Sequence, residues 1–187
     1  MRSQEEEMAL QDRIMRAVRG EVALFEEVEK DQNATTEALI IVAIGALSLG
    51  IGSALGSAAM GGYPSGGLVS LVAGVVSSLV GWAVFSFVAF FIGTKMFGAD
   101  ATWEEVLRTL GYAYTPMIIG IVAIIPILGG LVILIAGLWT LYLAFVAIRS
   151  ALDIDTGKTI ATILLSIIPT IIIAALISLP LQGIARL

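Results

Sequence analysis

The sequence predicts an all-α, polytopic membrane protein: a bundle of five transmembrane helices with an N-terminal amphipathic cytosolic helix. Three observations predict this fold class. Hydrophobic residues make up 58% of the 187 residues and charged residues only 13%, a composition far from that of soluble domains. Five nearly uncharged apolar segments are long enough to cross a bilayer as helices. Almost all Lys and Arg residues lie in alternate gaps between these segments.

Residues 1–36 are predicted to form an acidic cytosolic arm. The first 37 residues carry ten of the fifteen acidic residues and five of the ten basic ones, so the net charge of −5 belongs to this part of the chain. Apolar residues recur here at every third or fourth position, which places them along one side of a helix: Leu10, Ile14, Val18, Val22, Phe25 and Val28. Gly20 has a low helix propensity, so the helix can break there.

The apolar side of the arm has two interpretations. In the first, Ile14, Val18, Val22 and Phe25 dock a partner or lie at the membrane interface. In the second, the same side chains pack against the cytosolic face of the protein itself. The second is favoured because amphipathicity is the default of any surface helix. The acidic polar side argues against adsorption to anionic lipids, which attract Lys and Arg.

Residues 37–187 are predicted to form the transmembrane domain. Its spans are expected at about 37–59, 68–94, 106–125, 129–149 and 159–179. A membrane β-barrel is excluded because its segments are about ten residues long and alternate between apolar and polar. Residues 131–148, in contrast, are apolar on all sides. Helices therefore satisfy the backbone polar groups inside the bilayer.

Small residues four positions apart mark one side of each of the first two spans. They are Ser48, Gly52 and Gly56 in the first span and Ser70, Gly74 and Ser78 in the second. In lipid, burial of apolar surface does not drive helices together, and small residues allow the close backbone contact that does. We therefore expect the first two spans to pack against each other, with a homodimer contact as the alternative.

Local signals define the later spans. Thr102 and Glu105 have the spacing of a capping box at a helix start. Pro116 lies inside the third span, where it removes a backbone donor and predicts a kink. Asp155 or Thr156 is expected to cap the start of the fifth span.

The sequence lacks the residues that several classes of function usually require. The chain contains no Cys and no His, so thiolate nucleophiles, imidazole bases and the common zinc or haem ligands are absent. The spans carry no acidic or basic residue well away from their ends, which disfavours ion-coupled transport. Trp139, Tyr142 and Phe145 lie three apart and are interpreted as packing or interfacial residues rather than a cofactor site. The sequence predicts no catalytic residue, no cofactor, no metal site and no nucleic-acid partner, and therefore no enzyme.

The distribution of basic residues predicts the topology. Nine of the ten fall before the first span, between the second and third, or between the fourth and fifth. Only Arg186 falls on the opposite side. By the positive-inside rule, the N-terminus is cytosolic and the C-terminus is outside.

These features together resemble the Yip-one domain family, the Rab-GTPase-interacting five-span membrane proteins and their prokaryotic relatives. The resemblance rests on the acidic arm, the five spans, the segment Gly111-Tyr112-x-x-x-Pro116 in the third span and Gly157-Lys158-Thr159 at the start of the fifth. It implies a helical bundle. It also implies a role like that of eukaryotic members, which act in traffic between endoplasmic reticulum and Golgi and bind small GTPases and each other.

The chain is most similar to the prokaryotic branch of that family. Eukaryotic members carry Asp-Leu-Tyr-Gly-Pro before the first span, whereas this chain reads Asp31-Gln32-Asn33-Ala34-Thr35. The resemblance therefore implies a prokaryotic cell membrane, and GTPase binding only by remote analogy. The predicted function is a non-enzymatic integral membrane scaffold or interaction protein, with the lipid bilayer and a membrane-protein partner or a second copy as partners. The alternative is a facilitative transporter or channel for a small solute or ion, suggested by kinked spans rich in Gly and Ser.

Overall fold

The computed structural model describes residues 2–61, 67–125 and 127–184, and its side-chain surroundings are described for residues 10–61, 71–125 and 127–176. Within these ranges the chain is all-α, with seven α-helices and one 3-10 helix and no strand. The elements are α1 (Arg2–Val18), α2 (Val22–Lys30), α3 (Ala34–Ala59), α4 (Gly67–Phe97), α5 (Trp103–Ala113), the 3-10 helix (Thr115–Ile124), α6 (Leu128–Leu152) and α7 (Thr156–Ile184).

Five helical stretches are long and apolar enough to cross a membrane. They are Ala34–Ala59, Leu71–Phe97, Trp103–Ile124, Leu128–Leu152 and Thr156–Leu176. The third stretch consists of α5 and the 3-10 helix together. The predicted fold class, an all-α polytopic membrane protein with an N-terminal helix, is confirmed.

The arm consists of two helices that fold back on the bundle. Gly20 separates α1 from α2 with a φ of +71°, a left-handed conformation that glycine adopts without strain. Beyond this break, α2 packs against α5 and α6. Leu24, Phe25 and Val28 of α2 are fully buried. These three side chains of α2 are thus part of the core.

The third span changes its helix type midway. The predicted capping box is confirmed at the start of α5: the Thr102 backbone N–H donates to Glu105 Oε2 at 2.7 Å, and the Glu105 N–H donates to Thr102 Oγ1 at 3.4 Å. The α-helix ends at Ala113, and the ten-residue 3-10 helix follows with Pro116 in its first turn. Runs of 3-10 helix longer than three or four residues are uncommon.

The first span packs mainly along this 3-10 helix. A Cβ at Gly52 would overlap the carbonyl oxygen of Gly120, and a Cβ at Gly56 would overlap that of Ala123. Two glycines of the small-residue stripe therefore lie against the backbone of the third span rather than that of the second. The first two spans do contact each other, as the sequence had suggested, but α3 packs most extensively against the 3-10 helix and α4 against α7.

Candidate functional site

A cluster of charged side chains joins the arm to the first span. Arg13 of α1 donates to Asp31 Oδ2 at 2.8 Å, to Glu37 Oε2 at 3.0 Å and to Glu27 Oε1 at 3.1 Å. Its side chain is only 18% exposed. One guanidinium thus connects α1 with α2, with the residue after α2 and with α3. We call Arg13, Glu27, Asp31, Glu37 and Tyr112 the arm latch.

Tyr112 extends the latch into the third span. Its hydroxyl donates to Glu37 Oε2, and its side chain is fully buried. Glu37 therefore accepts from the arm and from α5 at the same time. Arg16 adds a second connection within the arm, because it donates to Glu27 Oε2 at 2.9 Å and to Glu21 Oε2 at 3.2 Å.

The basic and acidic groups of the latch stabilise each other's charged forms. Burial alone would lower the pKa of Arg13, but its hydrogen bonds to Asp31 and Glu37 outweigh burial and raise the pKa. Burial alone would raise the pKa of Asp31, but Arg13 and the Asn33 backbone N–H hold it below its usual value. The pKa of Glu27 is lowered in the same way by Arg16 and Arg13, against the effect of burial. Arg13, Asp31 and Glu27 are therefore ionised at neutral pH.

Two further side chains hold the carbonyl ends of the arm helices. Trp139 Nε1 donates to the Val18 carbonyl oxygen at 2.7 Å. Arg108, only 6% exposed, donates from Nε to the carbonyl oxygens of Val28 at 3.2 Å and Glu29 at 3.1 Å. The last carbonyls of a helix have no partner within it and carry partial negative charge, so both contacts stabilise a helix end.

Sequence reasoning missed the role of Arg108. It was counted only as one of the basic residues that set the topology. A signal was present, because Arg108 follows the Thr102 and Glu105 capping box by one turn and is surrounded by apolar residues. A charge at such a position requires a polar partner.

The four candidate docking residues lie in three different environments. Phe25 is fully buried inside the protein, whereas Val22 is 53% exposed. Ile14 and Val18 are partly buried and line a cavity between the arm and the bundle. Only part of the amphipathic side is therefore accessible on the surface of this chain.

The candidate packing residues are also unequal. Ser48 is partly buried, and Gly52 and Gly56 touch the 3-10 helix. On the second span, Ser70 lies outside the residues whose side chains are described. A Cβ at Gly74 would meet nothing within 4 Å, and Ser78 Oγ donates to the Gly74 carbonyl oxygen at 3.0 Å.

Described residues line three cavities that border the arm or the spans. An apolar groove of about 620 Å³ lies between α1, the 3-10 helix and α6. We call it the arm groove. A cavity of about 240 Å³ between α4, α5 and α6 includes Ser78, Tyr114 and Thr140 in its lining. A cleft of about 330 Å³ between α2 and the end of α6 includes Glu26, Arg149 and Asp153. In the described parts of the chain, no three acidic side chains are grouped as a metal site would require.

The segment Gly111-Tyr112-x-x-x-Pro116 lies at the junction of these features. A Cβ at Gly111 would overlap the Cβ of Ala38 and lie 3.0 Å from its Cα, so glycine lets α5 touch α3. Tyr112 joins the latch through Glu37, and Pro116 lines the arm groove. The model of the Yip1 domain family matches residues 21–179. The chain belongs to this family.

The match confirms the family resemblance drawn from the sequence. The matched region includes α2 and all five spans, whereas α1 and Arg13 precede it. The arm latch therefore joins a segment outside the matched Yip1 domain to three carboxylates and a tyrosine inside it. None of the curated proteins and none of the solved structures gives a significant match to the chain.

One carboxylate oxygen of Glu29, within the matched Yip1 domain, is buried and unpaired, which leads to a prediction. This atom, Oε2, accepts no hydrogen bond from any residue that the structure describes. Burial raises the pKa of Glu29, and the negative charges of Asp153 and Glu105 raise it further against the opposing effect of Lys30. The ionised carboxylate therefore destabilises the fold at neutral pH, and this cost disappears as the pH falls and the group binds a proton.

Glu29→Gln is therefore expected to raise the apparent melting temperature of the detergent-purified protein at pH 7. The difference from wild type should shrink as the pH is lowered towards 4. Glu26→Gln, at an exposed position of the same helix, should leave the melting temperature unchanged. A lower melting temperature for Glu29→Gln at pH 7 would show that its charge is needed.

Proposed function

We propose that this Yip1-domain protein is a non-enzymatic integral membrane scaffold that binds a membrane-protein partner, or a second copy of itself, through the outer surface of its arm. In this proposal residues 1–36 form an arm in the cytosol, residues 37–187 form the transmembrane domain, and the C-terminus lies on the other side of a prokaryotic cell membrane. The positive-inside asymmetry supports this orientation.

The observation that carries the proposal is the attachment of the arm. Arg13 binds carboxylates from three parts of the chain, and Trp139 holds the end of α1. A surface that is already ordered loses little conformational freedom when a partner binds. The latch thus gives the arm the preorganisation expected of an interaction surface.

The outer surface of the arm has the chemistry of a small interface. Met15 and Val22 are each 53% exposed. Around them lie acidic side chains, among them Asp12, at 68% exposure, and Glu21, at 40%. Apolar side chains within a charged rim are typical of protein interfaces. The acidic rim favours a partner with a basic surface.

Photocrosslinking from the arm tests this proposal. A photoreactive residue is placed at Met15, at Val22 or, as a matched control, at the fully buried Phe25, and native membranes are irradiated and analysed by mass spectrometry. We expect Met15 and Val22 to crosslink one discrete protein, either foreign or an isotope-labelled second copy. Phe25 should crosslink only within its own chain. If all three sites give only intramolecular products, the arm is not an interaction surface.

A further inference from the structure

The two helices of the arm are attached to the bundle in different ways. α2 is held by apolar burial, because Leu24, Phe25 and Val28 are fully buried and the helix packs against α5 and α6. Within residues 10–18 of α1, Ala17 alone is fully buried, and a single methyl group removes little apolar surface from water. The burial that fixes α2 is therefore largely missing from α1.

The apolar side of α1 borders open space. Ile14 and Val18 line the arm groove, which has a volume of about 620 Å³, and both side chains are only partly buried. α1 also packs more sparsely against α5 than α2 does. Segments with few buried apolar contacts open at a lower free-energy cost than the core does. α1 is therefore the part of the arm that can open by itself.

Ionic contacts hold α1 against the parts of the chain that follow Gly20. The carboxylates that accept hydrogen bonds from Arg13 and Arg16 are Glu21, Glu27, Asp31 and Glu37. A hydrogen bond from Trp139 Nε1 to the Val18 carbonyl oxygen also joins the end of α1 to α6. A swing of α1 about Gly20 would break these contacts and leave those between α2 and the bundle intact.

The junction between the two helices has the form of a hinge. The Glu21 N–H donates to the Arg16 carbonyl oxygen at 3.2 Å and the Gly20 N–H to that of Ala17 at 2.9 Å, which are the two bonds of a Schellman motif. α1 thus ends as a complete, capped helix. Glu21 is extended, with a φ of −67° and a ψ of 109°, and α2 begins directly after it at Val22. A few residues at the ends of elements are enough to absorb a hinge rotation.

The outer surface of the arm is divided between the two sides of this hinge. Met15 belongs to α1 and Val22 to α2, and each is 53% exposed. These two apolar residues form one surface only while α1 is held in place. Because Val22 directly follows Glu21, a probe at Val22 also senses the position of α1.

We propose that the arm is a hinged switch. When the ion pairs of Arg13 and Arg16 are lost, α1 swings away from the bundle about Gly20 and Glu21 while α2 stays docked, and the interaction surface shared by the two helices comes apart. The closed arm is the state that binds the partner, so partner affinity falls with the fraction of closed molecules. The link to partner binding rests on the scaffold function proposed above, whereas the hinge does not.

Distances between paired spin labels test the hinge. The chain contains no Cys, so each pair needs only two substitutions at exposed positions: Met15→Cys on α1 or Glu26→Cys on α2, each with Glu104→Cys on α5. Pulsed electron paramagnetic resonance is recorded on the full chain in lipid nanodiscs. In Arg13→Met, the ratio of long to short distances for the α1 pair should rise by more than about tenfold, and the α2 pair should keep the distances of the parent protein. Unchanged distances for the α1 pair, or equal changes for both pairs, would overturn the hinge.

Two more substitutions test the role of the ion pairs. Arg16→Met removes the hydrogen bonds to Glu21 and Glu27 and should change the α1 pair in the same direction by a smaller amount, so it decides the outcome if Arg13→Met does not fold. Arg19→Met is the matched control, because Arg19 is 66% exposed and lies 3.8 Å from Glu21, and it should leave both pairs unchanged. A change no larger in Arg16→Met than in Arg19→Met contradicts the role of the ion pairs.

Photocrosslinking then tests the link to partner binding. With a photoreactive residue at Met15 or Val22, Arg13→Met should reduce crosslinks to the partner of the parent protein at both positions, by the fraction of molecules that the spin labels show to be open. Undiminished crosslinks in a variant that opens contradict the link. If the parent protein itself crosslinks to no other molecule, the scaffold function is wrong and the link with it, while the distance measurements still decide the hinge.

Discussion

Replacing Gly52 with alanine is expected to destabilise the folded protein by about 2 kcal/mol, within the range of overpacked cores. The added methyl group would overlap the carbonyl oxygen of Gly120 and lie 2.9 Å from that of Ile121. Both are backbone atoms of the 3-10 helix, so relief requires the two spans to separate. Gly56→Ala should have a similar effect, because its methyl group would overlap the carbonyl oxygen of Ala123.

The measurement is the apparent melting temperature in detergent, followed by the fraction of protein that stays monodisperse after heating. Gly74→Ala is the matched control, since its methyl group would meet nothing within 4 Å and alanine favours a helix more than glycine does. We expect Gly74→Ala to match or exceed wild type. Equal melting temperatures for the Gly52 and Gly74 variants would contradict the close contact between α3 and the 3-10 helix.

Replacing Arg13 with methionine is expected to release the arm. The variant keeps much of the side-chain length but leaves Glu27, Asp31 and Glu37 without their shared cation. Removing one partner of a fully buried ion pair costs about 3–5 kcal/mol. Because the Arg13 side chain is 18% exposed, water screens part of this loss, and we expect about 2 kcal/mol.

Spin labelling measures this release directly. The chain contains no Cys, so Val22→Cys provides a single labelling site without further changes. The label should be more mobile in the Arg13→Met background than in the parent protein. Arg19→Met is the control, because Arg19 is 66% exposed and its partner is 3.8 Å away; its effect should stay below about 0.5 kcal/mol.

The same label should reveal a pH dependence. The folded-state pKa values of Asp31 and Glu27 are lowered. Their stabilising contribution is therefore complete above the ordinary pKa of a carboxyl group and is lost as the pH falls through the folded-state value. Arm mobility in the parent protein should rise on acidification below about pH 4. The Arg13→Met variant should show a smaller step, because Asp31 loses its cation while Glu27 keeps its hydrogen bond from Arg16.

Local features of the fold could be predicted from the sequence. The capping box of Thr102 and Glu105 needs only two residues three positions apart, and the structure contains both of its hydrogen bonds. Asp155, one of two candidate caps for the fifth span, accepts from the Lys158 N–H at 3.0 Å. The position of Gly20 likewise indicated where the arm helix breaks. Each of these features depends on residues no more than one helical turn apart in the sequence.

Features that depend on distant partners could not be predicted. Glu37 binds Arg13 across 24 positions and Tyr112 across 75, and no periodicity connects such residues. The small-residue stripe identified which side of α3 makes a close helix contact, but not which span it contacts. Small residues allow any span with an accessible backbone to approach closely. Hydropathy also cannot distinguish a 3-10 helix from an α-helix, because it depends only on residue types and the same apolar residues can form either helix.

The 3-10 helix also changes the length of the third span. A 3-10 helix rises about 2.0 Å per residue and an α-helix about 1.5 Å. The 11 residues of α5 and the 10 of the 3-10 helix therefore extend about 36 Å. That exceeds a hydrocarbon layer of about 30 Å by roughly one α-helical turn. The third span is therefore longer than the hydrocarbon layer is thick. The extra length places the first turn of α5 at the polar surface, where α2 can contact α5.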